Sequence, residues 1–195
     1  FVALSSSGSS YSILTSDIMK LGFTSNDLKE SNVSVLDLSA NFTTVELKDA
    51  GYSATELNDS GYAIQDLKDA SFNAVEIKDA GYQAQELVSV GFTTTELKEA
   101  EFTATELVDV GITIEELKDA QFTAVELKDA SFNITQLYDV SFTAVEVQEA
   151  GFVLEELKTV GFNATELNQV GYSLSELAPQ KIIKTTVSYN IPDID

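Results

Sequence analysis

The chain has 195 residues and a formal net charge of −21, and it contains no histidine and no cysteine. These counts exclude disulfide frameworks, thiol nucleophiles and catalytic triads built on histidine. A surface this acidic repels nucleic acid and anionic membranes, so neither is predicted as a partner. No apolar run approaches the ~20 residues of a membrane span, so no transmembrane helix is predicted.

The chain is predicted to have three parts. Residues 1–12 do not follow a repeat, residues 13–179 form ten-residue repeats, and residues 180–195 change to a strand-like pattern. The first repeats are imperfect, since residues 13–22 are degenerate and residues 33–41 are one residue short. From Phe42 to Gly171 the phase is unbroken, and Pro179 ends the last repeat because proline disrupts a helix interior.

One repeat, Phe102–Gly111, illustrates the pattern. Counted from the aromatic residue as position one, Thr103 occupies position two and Glu106 position five. This separation predicts a capping box, in which the hydroxyl accepts from the amide of Glu106 and the carboxylate accepts from the amide of Thr103. The aromatic residue and Leu107 then occupy the N′ and N4 positions of a hydrophobic staple. Each repeat is therefore predicted to form a helix of about two turns.

Position ten predicts where each helix ends. Glycine there suits the left-handed conformation that follows a helix C-terminus. The glycines at position ten are Gly51, Gly61, Gly81, Gly91, Gly111, Gly151, Gly161 and Gly171. Other repeats have a residue for which this conformation costs about 1 kcal/mol. These residues are Ser71, Glu101, Gln121, Ser131 and Ser141.

Position six is the predicted centre of the buried face. Leucine dominates there, positions three and nine flank it, and positions four and eight point away. Ordering one repeat costs on the order of 10–20 kcal/mol of backbone entropy, whereas its apolar burial contributes about 8 kcal/mol. Single repeats must therefore stack. The predicted fold is an all-α solenoid or superhelix of two-turn helices, one per ten-residue repeat, with short β-like terminal segments.

A four-sided β-helix is the alternative fold. Phenylalanine and leucine alternate every five residues, which loosely resembles a pentapeptide-repeat pattern. That fold needs a small residue two positions before each inward apolar residue, and burying a polar group there without a partner is costly. Polar or charged residues occupy this place at Gln65, Gln85, Glu115 and Glu155. Helix caps also have no role in a β-helix, so the helical solenoid is favoured.

The C-terminal tail alternates β-branched or aromatic residues with polar ones, which predicts a strand. The apolar side of this candidate assembly strand consists of Ile183, Thr185, Val187, Tyr189 and Ile191. A lone strand needs a partner. Pairing with a terminal segment of another subunit, a local cap within the chain, and disorder are all open. Pairing between subunits is preferred, because the ends of a rod lie far apart.

No catalytic, cofactor-binding or metal site is predicted. The carboxylates at position five have capping roles, and those at position eight form an exposed row without the about six to eight convergent oxygens that Ca²⁺ prefers. The sequon Asn-x-Ser/Thr marks candidate N-glycosylation sites, provided that the chain is secreted. These sites are Asn32, Asn41, Asn58, Asn133 and Asn163. Asn133 and Asn163 are also predicted N-caps, where a sugar competes with the cap, and the other three are freer.

The repeat Gly-Phe-Thr-Thr-Thr-Glu-Leu-Lys-Glu-Ala at residues 91–100 resembles tandem decapeptide repeats of the Ala-Gly-Phe-Thr-Ala-x-Glu-Leu-Lys-x type. Such repeats occur in long, largely uncharacterised proteins of microbes and large viruses. The resemblance covers roughly residues 13–178. It implies a repeat fold and carries no catalytic or binding residue to this chain.

The favoured functional hypothesis is a structural, non-enzymatic repeat protein. It is expected to assemble with itself, head to tail through its termini, into an extracellular or cell- or virion-surface filament, with possible glycans. The alternative is a scaffold that binds a protein or a glycan. That hypothesis predicts a variable face, and positions four and seven vary between repeats, for example at Asn58, Val88, Val108 and Tyr138.

Overall fold

The computed structural model describes residues 21–38 and 42–177, and every regular element among them is an α-helix. In chain order these are α1 (Ser25–Glu30), α2 (Val35–Leu38), α3 (Thr44–Asp49), α4 (Ala54–Asp59), α5 (Ile64–Asp69), α6 (Ala74–Asp79), α7 (Ala84–Ser89), α8 (Thr94–Glu99), α9 (Ala104–Asp109), α10 (Ile114–Asp119), α11 (Ala124–Asp129), α12 (Ile134–Asp139), α13 (Ala144–Glu149), α14 (Leu154–Val160), α15 (Ala164–Gln169) and α16 (Leu174–Leu177). The prediction of one short helix per repeat is confirmed.

Most helices start at the predicted capping box, although Ala63 before α5 makes no side-chain cap hydrogen bond. In α9 the amide of Glu106 donates to Thr103 Oγ1 at 3.2 Å, and the amide and hydroxyl of Thr103 both donate to Glu106 Oε2 at 2.7 Å. The same box begins most of the helices. At Gln83 and Val153 only the carboxylate half forms, since neither side chain accepts a cap hydrogen bond. The backbone donors left free by a helix start are thus satisfied locally.

Wherever the described residues continue past the end of a helix, that end is a left-handed turn at position ten, as predicted. Glu101 has a φ of 59°, its amide donates to the Lys98 carbonyl at 2.8 Å, and the amide of Phe102 donates to the Leu97 carbonyl at 3.0 Å. This pair of hydrogen bonds is a Schellman motif, which ends the helix after about six residues. Ser71, Gln121, Ser131 and Ser141 also have positive φ, so the turn is kept where glycine is absent.

The core is the predicted row of residues at position six. These side chains are completely buried in most repeats, and many of the position-one rings are buried as well, whereas Tyr62, Tyr82 and Phe132 are half-buried. The fully buried members of the row include Leu47, Leu57, Leu67, Ile77, Leu87, Leu97, Leu107, Leu117, Leu127, Leu137 and Leu157. By contrast, the polar residues that a β-helix would bury, Gln65, Gln85, Glu115 and Glu155, are exposed.

The helices belong to two compact units, one up to Phe122 and the other from Thr123, a division inside the predicted repeat region 13–179. Each unit is an all-α solenoid in which helices pack mainly on the helix two repeats away. In the first unit α4 packs on α6, α6 on α8, and α8 on α10; in the second, α11 packs on α13, α12 on α14, and α13 on α15. One coil of each solenoid therefore contains two repeats, a number that the sequence left open.

The predicted terminal segments lie outside the described residues. This applies to the non-repeat segment 1–12 and to the candidate assembly strand with Ile183, Thr185, Val187, Tyr189 and Ile191. The β-like character of both segments stays a prediction. Among residues 21–38 and 42–177, no helix has the length and apolar character needed to cross a membrane.

Candidate binding site

The lysine at position seven is the side chain that joins one coil to the next. Lys78 projects from the end of α6, and its Nζ donates to the carbonyl oxygens of Ala100 and Glu101, at 2.8 and 2.9 Å, where α8 ends. The same Nζ lies 4.4 Å from the centroid of the Phe102 ring. One ammonium thus satisfies carbonyls at a helix C-terminus and makes a cation–π contact.

This contact, here called the lysine clamp, recurs in both units. The lysine Nζ lies between 4.2 and 4.7 Å from the centroid of the ring that follows the helix two repeats on. The further pairs are Lys29 with Tyr52, Lys48 with Phe72, Lys68 with Phe92, Lys98 with Phe122, and Lys128 with Phe152. The partners are 24 residues apart along the regular repeat, so each of these lysines connects its own coil to the next one.

A carboxylate at position five completes the clamp. Lys48 Nζ lies 3.8 Å from Glu76 Oε2, and Lys29 pairs with Glu56. Hydrogen bonds from the backbone and then the side chain of Thr103 hold the pKa of Glu106 below its usual value, and the charge of Lys78 lowers it further. The carboxylate therefore has two roles, since it caps its own helix and faces the lysine of an earlier coil.

Polar side chains replace lysine in other repeats. Asn58 Nδ2 donates to the carbonyl of Ala80 at 2.9 Å, and Gln148 Nε2 donates to the carbonyl of Val170 at 3.0 Å. The interpretation of position seven as an outward, variable binding face is thus wrong where these residues and the lysines are concerned. Their variation changes the contact between coils.

Tyr138 occupies position seven of its repeat and forms an aromatic contact instead. Its ring lies edge-to-face against Phe162, with centroids 4.9 Å apart and planes at 87°. A Cβ atom built on Gly161 would lie 3.4 Å from the Tyr138 hydroxyl, so a glycine at this turn accommodates the phenol. Tyr138 is 36% exposed, which leaves part of its surface open to solvent.

A groove opens beside Tyr138, here called the Tyr138 groove. Its cavity volume is about 570 Å³. The residues that line it include Tyr138, Asp139, Phe142, Val145, Phe162 and Glu166. Aromatic rings, an exposed valine and two carboxylates thus meet in one concavity. The sequence shows Tyr138 only as one variant of position seven, and its aromatic character at a place usually held by lysine is the signal that marks the groove.

Position four forms the outward face of the helices, as predicted. Val45, Val75, Val125 and Val145 keep between 41 and 49% of their surface exposed. The threonines at the same position, Thr55, Thr95, Thr105, Thr135 and Thr165, are exposed as well. Valine and threonine thus occupy the same outward surface, on the side of the helices that faces away from the row of buried leucines.

The candidate glycosylation sites differ in their surroundings. Asn133 Oδ1 accepts from the amide of Gln136, and Asn163 Oδ1 accepts from the amides of Thr165 and Glu166. Asn58 is not free of structural contacts, because its amide nitrogen donates to the next coil. Asn32 adopts a left-handed turn with φ of 57°, and Asn41 lies outside the described residues. Modification at all five stays a prediction.

The position-eight carboxylates remain an exposed row along the helices. Asp59, Asp79, Asp109, Asp119 and Asp129 are all exposed. Within the described residues no group of three or more acidic side chains converges on a point that suits a metal ion. The row is therefore a solvated face in this part of the chain.

The fold and the repeated clamp define a short-helix repeat protein. The model of the family described as the decapeptide repeat region matches residues 38–104, 81–153 and 111–182, which together cover well over half of the chain. The chain belongs to this decapeptide repeat family, and the resemblance inferred from its sequence is confirmed. No curated protein and no solved structure shows significant similarity to it.

Proposed function

We propose that this decapeptide repeat protein is a structural, non-catalytic subunit that assembles end to end into a filament outside the cell or on a cell or virion surface. The observation that carries the proposal is the lysine clamp, which joins coil to coil by one geometry in both units. A solenoid whose coils are joined by a recurring contact offers a similar surface to the coil of another molecule. Assembly by further stacking then needs no new type of contact.

Exposed apolar side chains near the first described helix also support assembly. Leu21 is 76% exposed, Phe23 is 49% exposed and Leu36 is 64% exposed. Isolated surface residues of this kind are common, but three of them between residues 21 and 36 provide apolar contacts suited to a partner. The predicted strand at residues 180–195 provides a second candidate contact, through the addition of a strand to a neighbour.

Electron microscopy of the native protein, combined with sedimentation velocity over a range of concentrations, tests the proposal. We expect filaments with a regular axial repeat and a sedimentation coefficient that rises with concentration. Val187→Asp, on the apolar side of the candidate assembly strand, should weaken assembly, whereas Ser188→Asp, on the opposite side, should leave it nearly unchanged. A monodisperse monomer at every concentration would contradict the proposal.

The extracellular location rests on the five sequons, because attachment of sugar to Asn-x-Ser/Thr belongs to the secretory pathway. Mass spectrometry of the native protein before and after treatment with a peptide:N-glycosidase measures this directly. Asn32 is the site at which we expect sugar first among the described residues, since its side chain does not cap a helix. An unmodified native protein would remove this support for secretion without affecting the assembly proposal.

A binding scaffold is the second candidate function, and the Tyr138 groove favours it. The groove differs from the regular repeat, and its rings and carboxylates provide both apolar contact and charge. Concave sites with a few polar groups are the usual form of binding sites in proteins. An affinity experiment with the intact chain that recovers one stoichiometric partner, lost on blocking the groove, would support this function.

A further inference from the structure

The Tyr138 groove retains the lysine clamp's aromatic ring and carboxylate but does not receive an ammonium from position seven. Phe162 stands 24 residues after Tyr138, as Phe102 does after Lys78. Glu166 stands 28 residues after Tyr138, as Glu106 does after Lys78. The residue in the lysine position is a tyrosine, which has no ammonium group. The chain's own regular contact thus indicates the type of group that is missing.

We propose that the Tyr138 groove binds the lysine side chain of a partner protein. The partner's ammonium contacts the exposed part of the Tyr138 ring and a carboxylate, the same types of group that the chain's own lysines contact in other coils. This inference rests on the second candidate function, the binding scaffold, and names the chemistry of its partner. It does not depend on filament assembly.

The rings and carboxylates of the groove suit a cation. Tyr138 keeps 36% of its surface exposed beside its edge-to-face contact with Phe162, and the face of an aromatic ring carries negative electrostatic potential that attracts an ammonium. Asp139 and Glu166 add two carboxylates to the lining. A cation that enters the groove therefore gains from both the rings and the acidic groups.

The groove also suits the stem of a lysine. Val145 lines it with 41% of its surface exposed, and the four methylene groups of lysine pack against such apolar surface while the ammonium reaches polar groups. The net charge of −21 would draw a basic partner towards the protein and raise the rate of association. Apolar contact and charge thus favour the same occupant.

A glycan fits the groove less well. Sugars stack on broad exposed ring faces, but Phe142 and Phe162 are only 4 and 7% exposed. Tyr138 is more exposed, at 36%, and one partly exposed ring suits a slender side chain better than the face of a sugar. Binding of a glycan in the groove is therefore one of the outcomes that the titration below distinguishes.

The test is a titration of the intact ¹⁵N-labelled chain with the peptide acetyl-Gly-Lys-Gly-amide, followed by amide chemical shifts at physiological salt. The control peptide replaces lysine by norleucine, which keeps the apolar stem and removes the charged ammonium. We expect saturable shifts at Tyr138, Val145 and Gly161 with the lysine peptide, and an affinity about threefold or more weaker with norleucine. Cellobiose serves as the glycan probe and should give no shifts there.

Two variants with matched controls locate the interaction. Glu166→Gln removes the charge but keeps the helix cap, because Gln136 already caps Asn133 in this way with the amide of Asn133 donating to Gln136 Oε1 at 3.0 Å. It should weaken lysine-peptide binding about threefold, whereas Glu106→Gln, the equivalent change in a regular clamp, should not. Tyr138→Lys should place the chain's own ammonium in the groove and abolish binding, whereas Thr105→Lys adds the same charge elsewhere and should retain it.

Three results would overturn the proposal. Equal binding of the lysine and norleucine peptides would make the groove an apolar site, and cellobiose shifts without lysine shifts would make it a glycan site. Lysine-induced shifts spread evenly over all acidic repeats would show general attraction to the charged surface. If Tyr138→Lys fails to fold by circular dichroism, the Glu166→Gln comparison still decides, and none of these readouts depends on whether filaments form.

Discussion

Lys78 Nζ lies 4.4 Å from the centre of the Phe102 ring, although the two residues are separated by 24 positions of sequence. The same ammonium donates to the carbonyl oxygens of Ala100 and Glu101. A lysine in the last turn of a helix is expected to interact with the dipole of that helix. Lys78 instead stabilises the end of a different helix. The period of the tertiary contact is two repeats, whereas the period of the sequence is one.

Replacing Lys78 by methionine should measure the clamp. Methionine keeps most of the aliphatic stem but removes the cation–π contact and both hydrogen bonds, so the free energy of unfolding should fall by about 1–2 kcal/mol. Urea unfolding followed by circular dichroism provides the measurement. Asp79→Asn is the matched control, because Asp79 is exposed on the same helix, and should change stability by less than about 0.5 kcal/mol. Equal effects of the two changes would show that the clamp does not contribute to the stability of the coil.

The residues Val88 and Ile112 allow a test of the 24-residue spacing between the two partners of a clamp. Ile112 replaces the usual aromatic residue at position one, and the residue 24 positions before it is Val88 in place of lysine. Both side chains are half-buried. The two departures from the pattern thus occur at the two ends of one expected clamp, where an apolar pair replaces an ammonium and a ring.

A double-mutant cycle on this pair should recreate the clamp. Val88→Lys and Ile112→Phe are each expected to be neutral or destabilising, because each leaves one half of the contact without its partner. Together they should show a favourable coupling energy of about 0.5–1 kcal/mol. The coupling is obtained from urea unfolding of the four proteins. A coupling energy near zero would indicate that the spacing does not place these two residues in contact.

The local structure of the repeat could be predicted from sequence, because its determinants lie within ten residues. Thr103 and Glu106 fix the start of α9, and residues such as Gly111 or Glu101 fix the ends by a left-handed turn. Leu107 is buried as expected. These features follow from hydrogen-bond geometry and from the angular spacing of side chains on a helix.

The contacts between coils could not be predicted in the same way. The repeat pattern does not specify that α6 packs on α8. The contact of Lys78 with Phe102 therefore cannot be predicted from it, and variation at position seven indicates an outward surface instead. The Tyr138 groove was missed for the same reason, since Phe162 and Glu166 approach it only through coil stacking. A pattern that repeats every ten residues specifies each helix, but the number of helices per coil depends on how the turns between helices direct the chain.

Tyr62 and Tyr82 occupy position one in alternate repeats but have different hydrogen bonds. Tyr82 Oη donates to the carbonyl of Tyr62 at 3.1 Å, whereas Tyr62 Oη is buried and has no hydrogen-bond partner among the described residues. Burial raises the pKa of the Tyr62 hydroxyl, and the charge of Asp66 raises it further. An unpaired buried hydroxyl is a local destabilising feature.

The change to phenylalanine should therefore affect the two tyrosines differently. Tyr82→Phe removes a hydrogen bond and should lower the free energy of unfolding by about 1 kcal/mol, whereas Tyr62→Phe should be neutral or stabilising by up to about 1 kcal/mol. Thermal unfolding of both variants beside the parent protein makes the comparison. A loss of stability in Tyr62→Phe equal to that in Tyr82→Phe would show that Tyr62 gains a hydrogen bond in solution.

The last prediction concerns the dependence of stability on pH. Because hydrogen bonds from Thr103 lower the pKa of Glu106 from its ordinary value of 4.5, this group stabilises the fold above that value, and the contribution is lost as the pH falls through the lowered pKa. Acidification also relieves repulsion within a chain of net charge −21, an opposite effect that the parent and a single-charge variant largely share. The stability difference between the parent and Glu106→Gln should therefore be largest near neutral pH and shrink below about pH 4. Asp109→Asn, which removes an exposed charge from the same helix without a capping box, should show no such trend. A difference for Glu106→Gln that stays constant from about pH 7 to about pH 3 would mean that the carboxylate charge adds nothing to the cap.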